Sequence, residues 1–296
     1  MKKITIFTPT YNRAYCLKEL YESLLLQERN KFVWLIVDDG STDNTKALID
    51  EFVKEALIEI RYFYQENAGK MAAHNKGVDL CDTELFMCLD SDDTLLPDAI
   101  STLCAFWESV KNIDNLSGVV APKKLINELR EDISCPFPEV RFSTLYGLYK
   151  LGFTGETALA FRTEVLKKYP FKIFEGEKFI PESVVYKKID RLYKLAVLNK
   201  SVMLCLYRAD GYTQNMIKHQ VNSPKSMSYA HADNLEHLDI TFLERIKSAV
   251  NYIAFSLIAG YSRSKIFKDT SHKLFINLLY PLGWIQMKRL LSKCKK

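Results

Sequence analysis

Phe32-Val33-Trp34-Leu35-Ile36-Val37 runs directly into Asp38-Asp39-Gly40-Ser41-Thr42-Asp43, and that junction decides the fold. The apolar run predicts a strand. The polar cluster turns the chain into a helix whose stripe is Ala47, Leu48, Phe52 and Val53. The same alternation continues on both sides. Upstream, Ile4–Phe7 reads as a strand and leads through Thr8-Pro9-Thr10-Tyr11-Asn12-Arg13 into a helix with Leu17, Leu20, Tyr21, Leu24 and Leu25 on one face. Downstream, 58–64 and 85–89 read as further strands. Leu96-Pro97-Asp98 opens a third helix, with Pro97 suited to its first turn. Strands separated by helices imply right-handed βαβ units and a mostly parallel sheet, an α/β fold.

In such sheets ligands bind beyond the carboxyl ends of the strands. Three polar clusters fall there: the Thr8–Arg13 segment, Asp38–Ser41, and Asp90-Ser91-Asp92-Asp93. Closely spaced carboxylates repel unless something positive lies between them, and hard oxygen ligands suit Mg²⁺ or Mn²⁺ with phosphate oxygens. A solvated helix cap before Pro97 would produce the same aspartates. Asp38-Asp39 can accept hydrogen bonds from a base or a ribose, while Asp-Gly is equally a turn signal. In Glu66-Asn67-Ala68-Gly69-Lys70, Gly69 allows close backbone approach and Lys70 can meet a phosphate. His74, with no other histidine near it in sequence, reads as a hydrogen-bonding group behind the site and not as a metal ligand.

The 296 residues are 48% hydrophobic, which excludes a disordered or fibrous chain. Seven scattered cysteines, never spaced as CxxC, fit neither a disulfide framework nor structural zinc, so a reducing cytoplasm is expected. The apolar stretch after Met1-Lys2-Lys3 is too short for a signal-peptide core, and no apolar run reaches 18 residues. The net charge of +5 is unevenly spread: residues 261–296 hold nine Lys or Arg against Asp269 alone, a net of +8. A basic footprint confined this way argues against nucleic acid as partner.

Taken in order, Thr-Pro-Thr-Tyr-Asn-Arg, Asp-Asp-Gly-Ser-Thr-Asp, Asn-Ala-Gly-Lys with His-Asn-Lys-Gly, and Leu-Asp-Ser-Asp-Asp resemble family 2 of the glycosyltransferases, which have the GT-A fold. The resemblance covers residues 4–210 and is most specific over 4–110. Within the family the chain looks most like bacterial transferases that build capsular or other exported polysaccharides. The resemblance implies a Rossmann-like GT-A domain whose first half (1–115) binds the nucleotide sugar and whose second half (116–220) meets the acceptor. A helical appendage (221–296) would follow.

The resemblance also implies roles. Thr8, Pro9, Thr10, Tyr11 and Arg13 would contact the nucleotide, Asp39 would read the base edge, and Lys70 would lie near base or phosphate. Asp90-Ser91-Asp92 matches the DxD element: Asp92 would ligate a divalent Mn²⁺ or Mg²⁺, with Asp90 at ribose and metal-bound water and Asp93 orienting it. Glu156 and Glu177 would face donor sugar or acceptor. Glu182 corresponds best to the catalytic base of an inverting transfer, although Pro181 precedes it and Glu stands where the family has Asp. Glu175 and Glu177 compete for that role. The donor would be a nucleotide sugar, a UDP-sugar, and the acceptor a lipid-linked glycan. A nucleotidyltransferase would want a Gly-rich basic loop where this chain has Thr-Pro-Thr-Tyr-Asn-Arg; a non-catalytic binding module would not need Asp92 and an acceptor-side acid.

In the tail, Ile246, Ala249, Val250, Ile253, Ala254, Leu257, Ile258 and Tyr261 keep helical spacing and read as core. Residues 275–287 are apolar but interrupted by Pro281 and Gly283, and five basic residues follow. With Trp284 and Tyr280, this predicts an interfacial segment on an anionic membrane surface, the alternative being a homo-oligomer contact.

Overall fold

The computed structural model describes residues 2–294 apart from 128, 130, 207–215 and 238. Lys295 and Lys296 of the basic tail lie outside the described residues. In chain order the first elements are β1 (Ile4–Thr10), α1 (Ala14–Leu25), β2 (Phe32–Asp38), α2 (Thr45–Glu55), β3 (Ile60–Tyr64), α3 (Lys70–Leu80) and β4 (Leu85–Cys88). Then come β5 (Asp93–Leu95), α4 (Ala99–Val110), β6 (Leu116–Ile126), β7 (Phe142–Ser143), α5 (Leu145–Lys150), β8 (Thr157–Arg162) and α6 (Thr163–Leu166). The rest are α7 (Ser183–Asp190), β9 (Lys194–Val197), β10 (Met203–Leu206), α8 (Met216–Val221), α9 (Pro224–Leu235), α10 (Phe242–Ile258), α11 (Arg263–Lys268) and α12 (Lys273–Cys294). They divide into two compact units: Met1–Pro170 with Tyr186–Gly211, and Phe171–Val185 with Tyr212–Lys296.

The first unit is the expected α/β body. Its sheet runs β3-β2-β1-β4-β8-β6-β10-β5, with β9 on the side of β6 and β7 on β9. β3, β2, β1 and β4 are mutually parallel, and β8 is antiparallel to β4 and β6. Every residue of β1 and β2 is buried because helices cover both faces, which is why β2 is apolar up to Asp38 and the threonines of β1 are buried. On one face Tyr21 of α1 stacks on Phe52 of α2 at 4.0 Å and on Trp34 of β2 at 5.9 Å. Such pairs add about 0.5–1.5 kcal/mol beyond the area they bury. On the other face Phe7 stacks on Phe86 at 5.1 Å, and His74 packs edge-on to both rings.

Several boundaries differ from the sequence expectation, β1 running on to Thr10 among them. The third strand begins at Ile60, two residues late. Pro97 precedes the helix it was expected to open: Asp98, in the left-handed region at φ 58°, is the cap and α4 starts at Ala99. The aspartate run is accordingly no helix cap, for Asp93 begins β5, which pairs antiparallel with β10.

The second unit is helical among its described residues. α10 buries Ala249, Tyr252, Ile253 and Ala254, so the predicted stripe is core. Residues 275–287 belong to a 22-residue helix, α12, that runs through both supposed breakers. Pro281 faces outward, and Gly283 faces Ile253 of α10, where an added Cβ would come within 2.4 Å of the isoleucine side chain. A proline off the buried face and a glycine on it let the helix lie close to its neighbour.

Gly77 gives a test of the packing beneath α3. Glycine-to-alanine in a helix interior normally stabilises by about 1 kcal/mol. Here the new Cβ would fall 2.4 Å from the Phe7 ring, and overpacking of that kind costs about 1–3 kcal/mol. Gly77→Ala should therefore lower the urea midpoint; a raised midpoint would show that the Phe7 ring yields freely.

Candidate active site

Register brings the predicted clusters to one edge. Thr10 of β1 lies beside Asp38 of β2, and Asp38 beside Tyr64 of β3, so the three strands end in a row. The loops that follow are stitched by side chains. Asn12, at φ 53°, accepts from the backbone amides of Thr42 at 2.7 Å and Asp43 at 3.3 Å. Asp43 in return accepts from the Ala14 amide at 3.2 Å. Asp38 accepts from the Ser41 amide at 2.8 Å and the Tyr62 hydroxyl at 2.9 Å. Asp39, buried, accepts from Gln65 Nε2 at 2.7 Å and from the amides of Ala68 and Gly69 at 2.9 and 2.8 Å. Gly40 is obligatory beside it, since a Cβ there would stand 2.9 Å from the Asn67 nitrogen at a backbone φ of 88°. Gly69, at φ 96°, turns the chain into α3 and delivers Lys70.

Lys70 reaches Asp90 at 2.8 Å. Asp92 is about one-third exposed, and Arg13 approaches it at 3.8 Å. Asp93 points inward, its side chain 5% exposed, and binds Lys123 of β6 at 2.8 Å. Lys123 also meets Glu156 at 3.3 Å, and its backbone amide donates to the Glu156 carbonyl at 2.9 Å. The structure thus links Lys70, Asp90, Asp93, Lys123 and Glu156 electrostatically, with Arg13 and Asp92 as a separate pair and Ser91 buried in the turn between them. Tyr11 is half exposed at the same edge. Thr8 has a different post from the one the resemblance implied: it is fully buried and accepts from the Trp34 indole at 3.0 Å, while Pro9 is buried beside it. Thr10 is buried with no partner for its hydroxyl. Glu177 and Glu182 belong to the helical unit. There both Glu177 oxygens accept backbone amides at the start of α9, Lys225 at 2.8 Å and Ser226 at 2.7 Å.

Sequence reading missed Lys123. Burial opposes its charge, but Asp93, Asp90 and Glu156 outweigh that and push its pKa up. Burial raises Asp93, Lys123 offsets part of the effect, and Asp90 adds to it. For Asp90 burial is again the largest influence, but Lys70 and Lys123 overcome it and the pKa falls. The one available signal was strand alternation: of adjacent lysines in β6, one must point into the unit.

A divalent ion was expected at Asp92 and Asp90. Among the described residues no three Asp, Glu, His or Cys groups converge to cage a metal. The donor set instead suits a hard cation that takes one or two carboxylates and completes its shell with phosphate oxygens and water. Asp92, with only a distant guanidinium beside it, fits that role.

Residues 5–169 match the family described as Glycosyl transferase family 2. The chain belongs to that family. Among curated relatives, the teichoic acid poly(glycerol phosphate) polymerase of Staphylococcus epidermidis is 36% identical over 123 residues, 41% of this chain and 16% of that protein. The GalNAc(5)-diNAcBac-PP-undecaprenol beta-1,3-glucosyltransferase of Campylobacter jejuni is 33% identical over 105 residues, 35% of this chain and 34% of that protein. The chain therefore spans well under two thirds of either relative. S. aureus TarS 1–349 in complex with UDP-GlcNAc superposes with a TM-score of 0.63 at 17% identity, covering 97% of this chain and 81% of that one. Mannosyltransferase PcManGT from Pyrobaculum calidifontis, in complex with GDP-Man and Mn²⁺, gives 0.55 at 17% identity, covering 99% and 86%. The shared fold is GT-A.

The Lys123–Asp93 pair can be tested by a double-mutant cycle. Lys123→Met and Asp93→Asn should each cost about 3–5 kcal/mol of stability, since each strands a buried charge. The double variant should recover much of that loss, measured by urea unfolding. Additive losses would mean that the two charges do not depend on each other.

Proposed function

We propose that this family 2 member is an inverting glycosyltransferase that moves a sugar from a nucleotide sugar, a UDP-sugar, to a lipid-linked glycan in surface polysaccharide synthesis, at the inner face of the plasma membrane. In that reading residues 1–115 bind the donor and residues 116–220 meet the acceptor. The observation that carries it is the alternation of acids and cations at the carboxyl edge: Arg13, Lys70 and Lys123 each face one of Asp92, Asp90 and Asp93. A sugar diphosphate brings two negative charges and a divalent cation two positive ones, so their joint arrival leaves the charge of such a site unchanged. Either alone would unbalance it.

Bound through Asp92, with Asp90 nearby, Mn²⁺ or Mg²⁺ would act as a Lewis acid on the diphosphate. The protein's own groups do the rest. Lys70 and Arg13 turn from carboxylates to phosphate oxygens as the donor enters. Asp39, already held by two backbone amides, fixes the loop against which the base lies, and the exposed Tyr11 ring covers it. Asp93, pinned by Lys123, holds the aspartate turn in place, and Glu156 faces the sugar. The acceptor hydroxyl attacks the anomeric carbon, the bond to the diphosphate oxygen breaks with its electron pair, and Glu182 takes the hydroxyl proton. Glu182 is preferred to Glu177 because Glu177 spends both oxygens on amides at the start of α9, which leaves it poorly placed to receive a proton.

Asp92→Asn should abolish Mn²⁺- or Mg²⁺-supported release of nucleoside diphosphate without changing the circular dichroism spectrum. Undiminished turnover in EDTA would overturn the metal assignment. Separately, Glu182→Gln should slow transfer by about a hundredfold or more, the scale of general base catalysis, while donor affinity in calorimetry stays the same. An active Glu182→Gln variant would move the base elsewhere.

A further inference from the structure

The outer face of α12 is apolar where the face of a soluble helix is usually polar. Leu274, Leu278, Leu282 and Ile285 are 88%, 77%, 50% and 57% exposed. Spaced four, four and three residues apart, they form one stripe, and Pro281 lies within it. Continued by one turn, the same stripe becomes Lys288 and Arg289, both exposed. Trp284 flanks it, half exposed, with the Lys288 ammonium 5.3 Å from its ring centroid. The opposite face holds Ile276, Leu279, Gly283 and Leu290, all buried. Phe242 and Leu243, at the start of α10, are 71% and 59% exposed, and the Phe242 ring lies 6.3 Å from that of Phe275. Two helices of one unit therefore present a single apolar surface edged by cations.

We propose that this surface of α10 and α12 docks on an anionic lipid bilayer, with α12 lying in the plane of the interface. Three observations select that occupant. No helix among the described residues is long and apolar enough to cross a membrane, whereas a helix with an apolar face and a basic end suits the headgroup boundary. α12 contains no acidic residue. Lys273, Lys288, Arg289 and Lys293 are exposed and have no carboxylate partner among the described residues, so they are free to meet an external anionic surface. A second copy docked by the same face could cover the apolar stripe but would bring no acid from α12 to Lys288 and Arg289, because the helix contains none. Anionic phosphate headgroups supply the missing charge, and the acyl boundary takes Leu274, Leu278, Leu282 and Ile285. The inference deepens the lipid-linked acceptor reading and rests on it only for what the docking achieves.

Sedimentation of the full chain with vesicles that contain no acceptor keeps the two readings separable. The chain should pellet with phosphatidylcholine–phosphatidylglycerol vesicles and at least tenfold less with phosphatidylcholine alone. Each basic side chain near an anionic surface strengthens binding about fivefold, so Lys288→Glu with Arg289→Glu should weaken it by more than tenfold. Leu278→Asp with Leu282→Asp, both at exposed positions, should abolish it while unfolding at the same urea concentration as the parent. Trp34 and Trp107 are buried and Trp284 is not, so a blue shift of tryptophan emission on adding vesicles would report the docked face. Equal pelleting by the Leu278→Asp, Leu282→Asp variant and the parent would overturn the proposal. So would a lipid-free dimer in sedimentation equilibrium that the same variant dissolves, which would make a second copy the occupant.

Discussion

The ammonium of Lys123, between Asp93 and Glu156, is the interaction on which the carboxyl edge of the sheet depends. Asp90, Asp92, Asp93 and Glu156 gather at this part of the edge, and Asp93 turns inward where water cannot screen it. A buried carboxylate without a partner neutralises or unfolds its surroundings. Lys123 removes that choice, and because it comes from β6 it ties the aspartate turn to the middle of the sheet. Lys70 does the same for Asp90 from the start of α3. The acids can therefore be concentrated before any ligand arrives, and the turn that carries Asp92 is rigid on two sides while Asp92 itself keeps its exposure.

Strands β2 and β4 were legible because they are buried on both faces, so their side chains are apolar in an unbroken run and the polar residues gather at the ends, whereas β1 interleaves threonines and β3 is only half-buried. The site motifs were legible for the same reason: Asp38-Asp39 and Asp90–Asp93 are the first polar residues after such runs. β6 was less so, because this strand changes partners along its length, pairing with β8 and β9 early and with β10 late. Lys123 and Lys124 look like a solvated pair. Strand alternation instead sends Lys124 outward, 43% exposed beside Asp132, and Lys123 inward at 13%. Only the tertiary position of Asp93 reveals which of the two matters.

Hydrogen bonding separates residues that spacing leaves close. Glu175, Glu177 and Glu182 are three acids within eight positions, and the family resemblance that favours Glu182 leaves the other two as competitors. Glu177 closes the start of α9, where Pro224 already occupies the first turn and the amides of Lys225 and Ser226 need acceptors. A carboxylate at a helix N-terminus is favoured by the helix dipole as well. The reading of Thr8 changes in a similar way. Motif order groups it with Thr10 and Tyr11, but the strand carries it below the edge, where the Trp34 indole requires an acceptor in the core.

The two units handle charge oppositely, and the difference follows from where the charges lie. In the first unit, Lys123 and Asp93 are inside the fold, and the charge of Asp90 acts on both. Their neutralisation has to be complete when the chain folds, so Lys123 faces Asp93 and Glu156, and Lys70 faces Asp90. In the second unit, Lys273, Lys288, Arg289 and Lys293 project from one helix into water, which stabilises them at no cost to folding. Charges of that kind can stay uncompensated until a surface of opposite sign arrives. The same holds for the apolar stripe beside them: Leu274 and Leu278 contribute little to the helical core, which Ile276, Leu279 and Leu290 already fill. A face that serves neither folding nor solvation is one that the fold leaves available for an external partner.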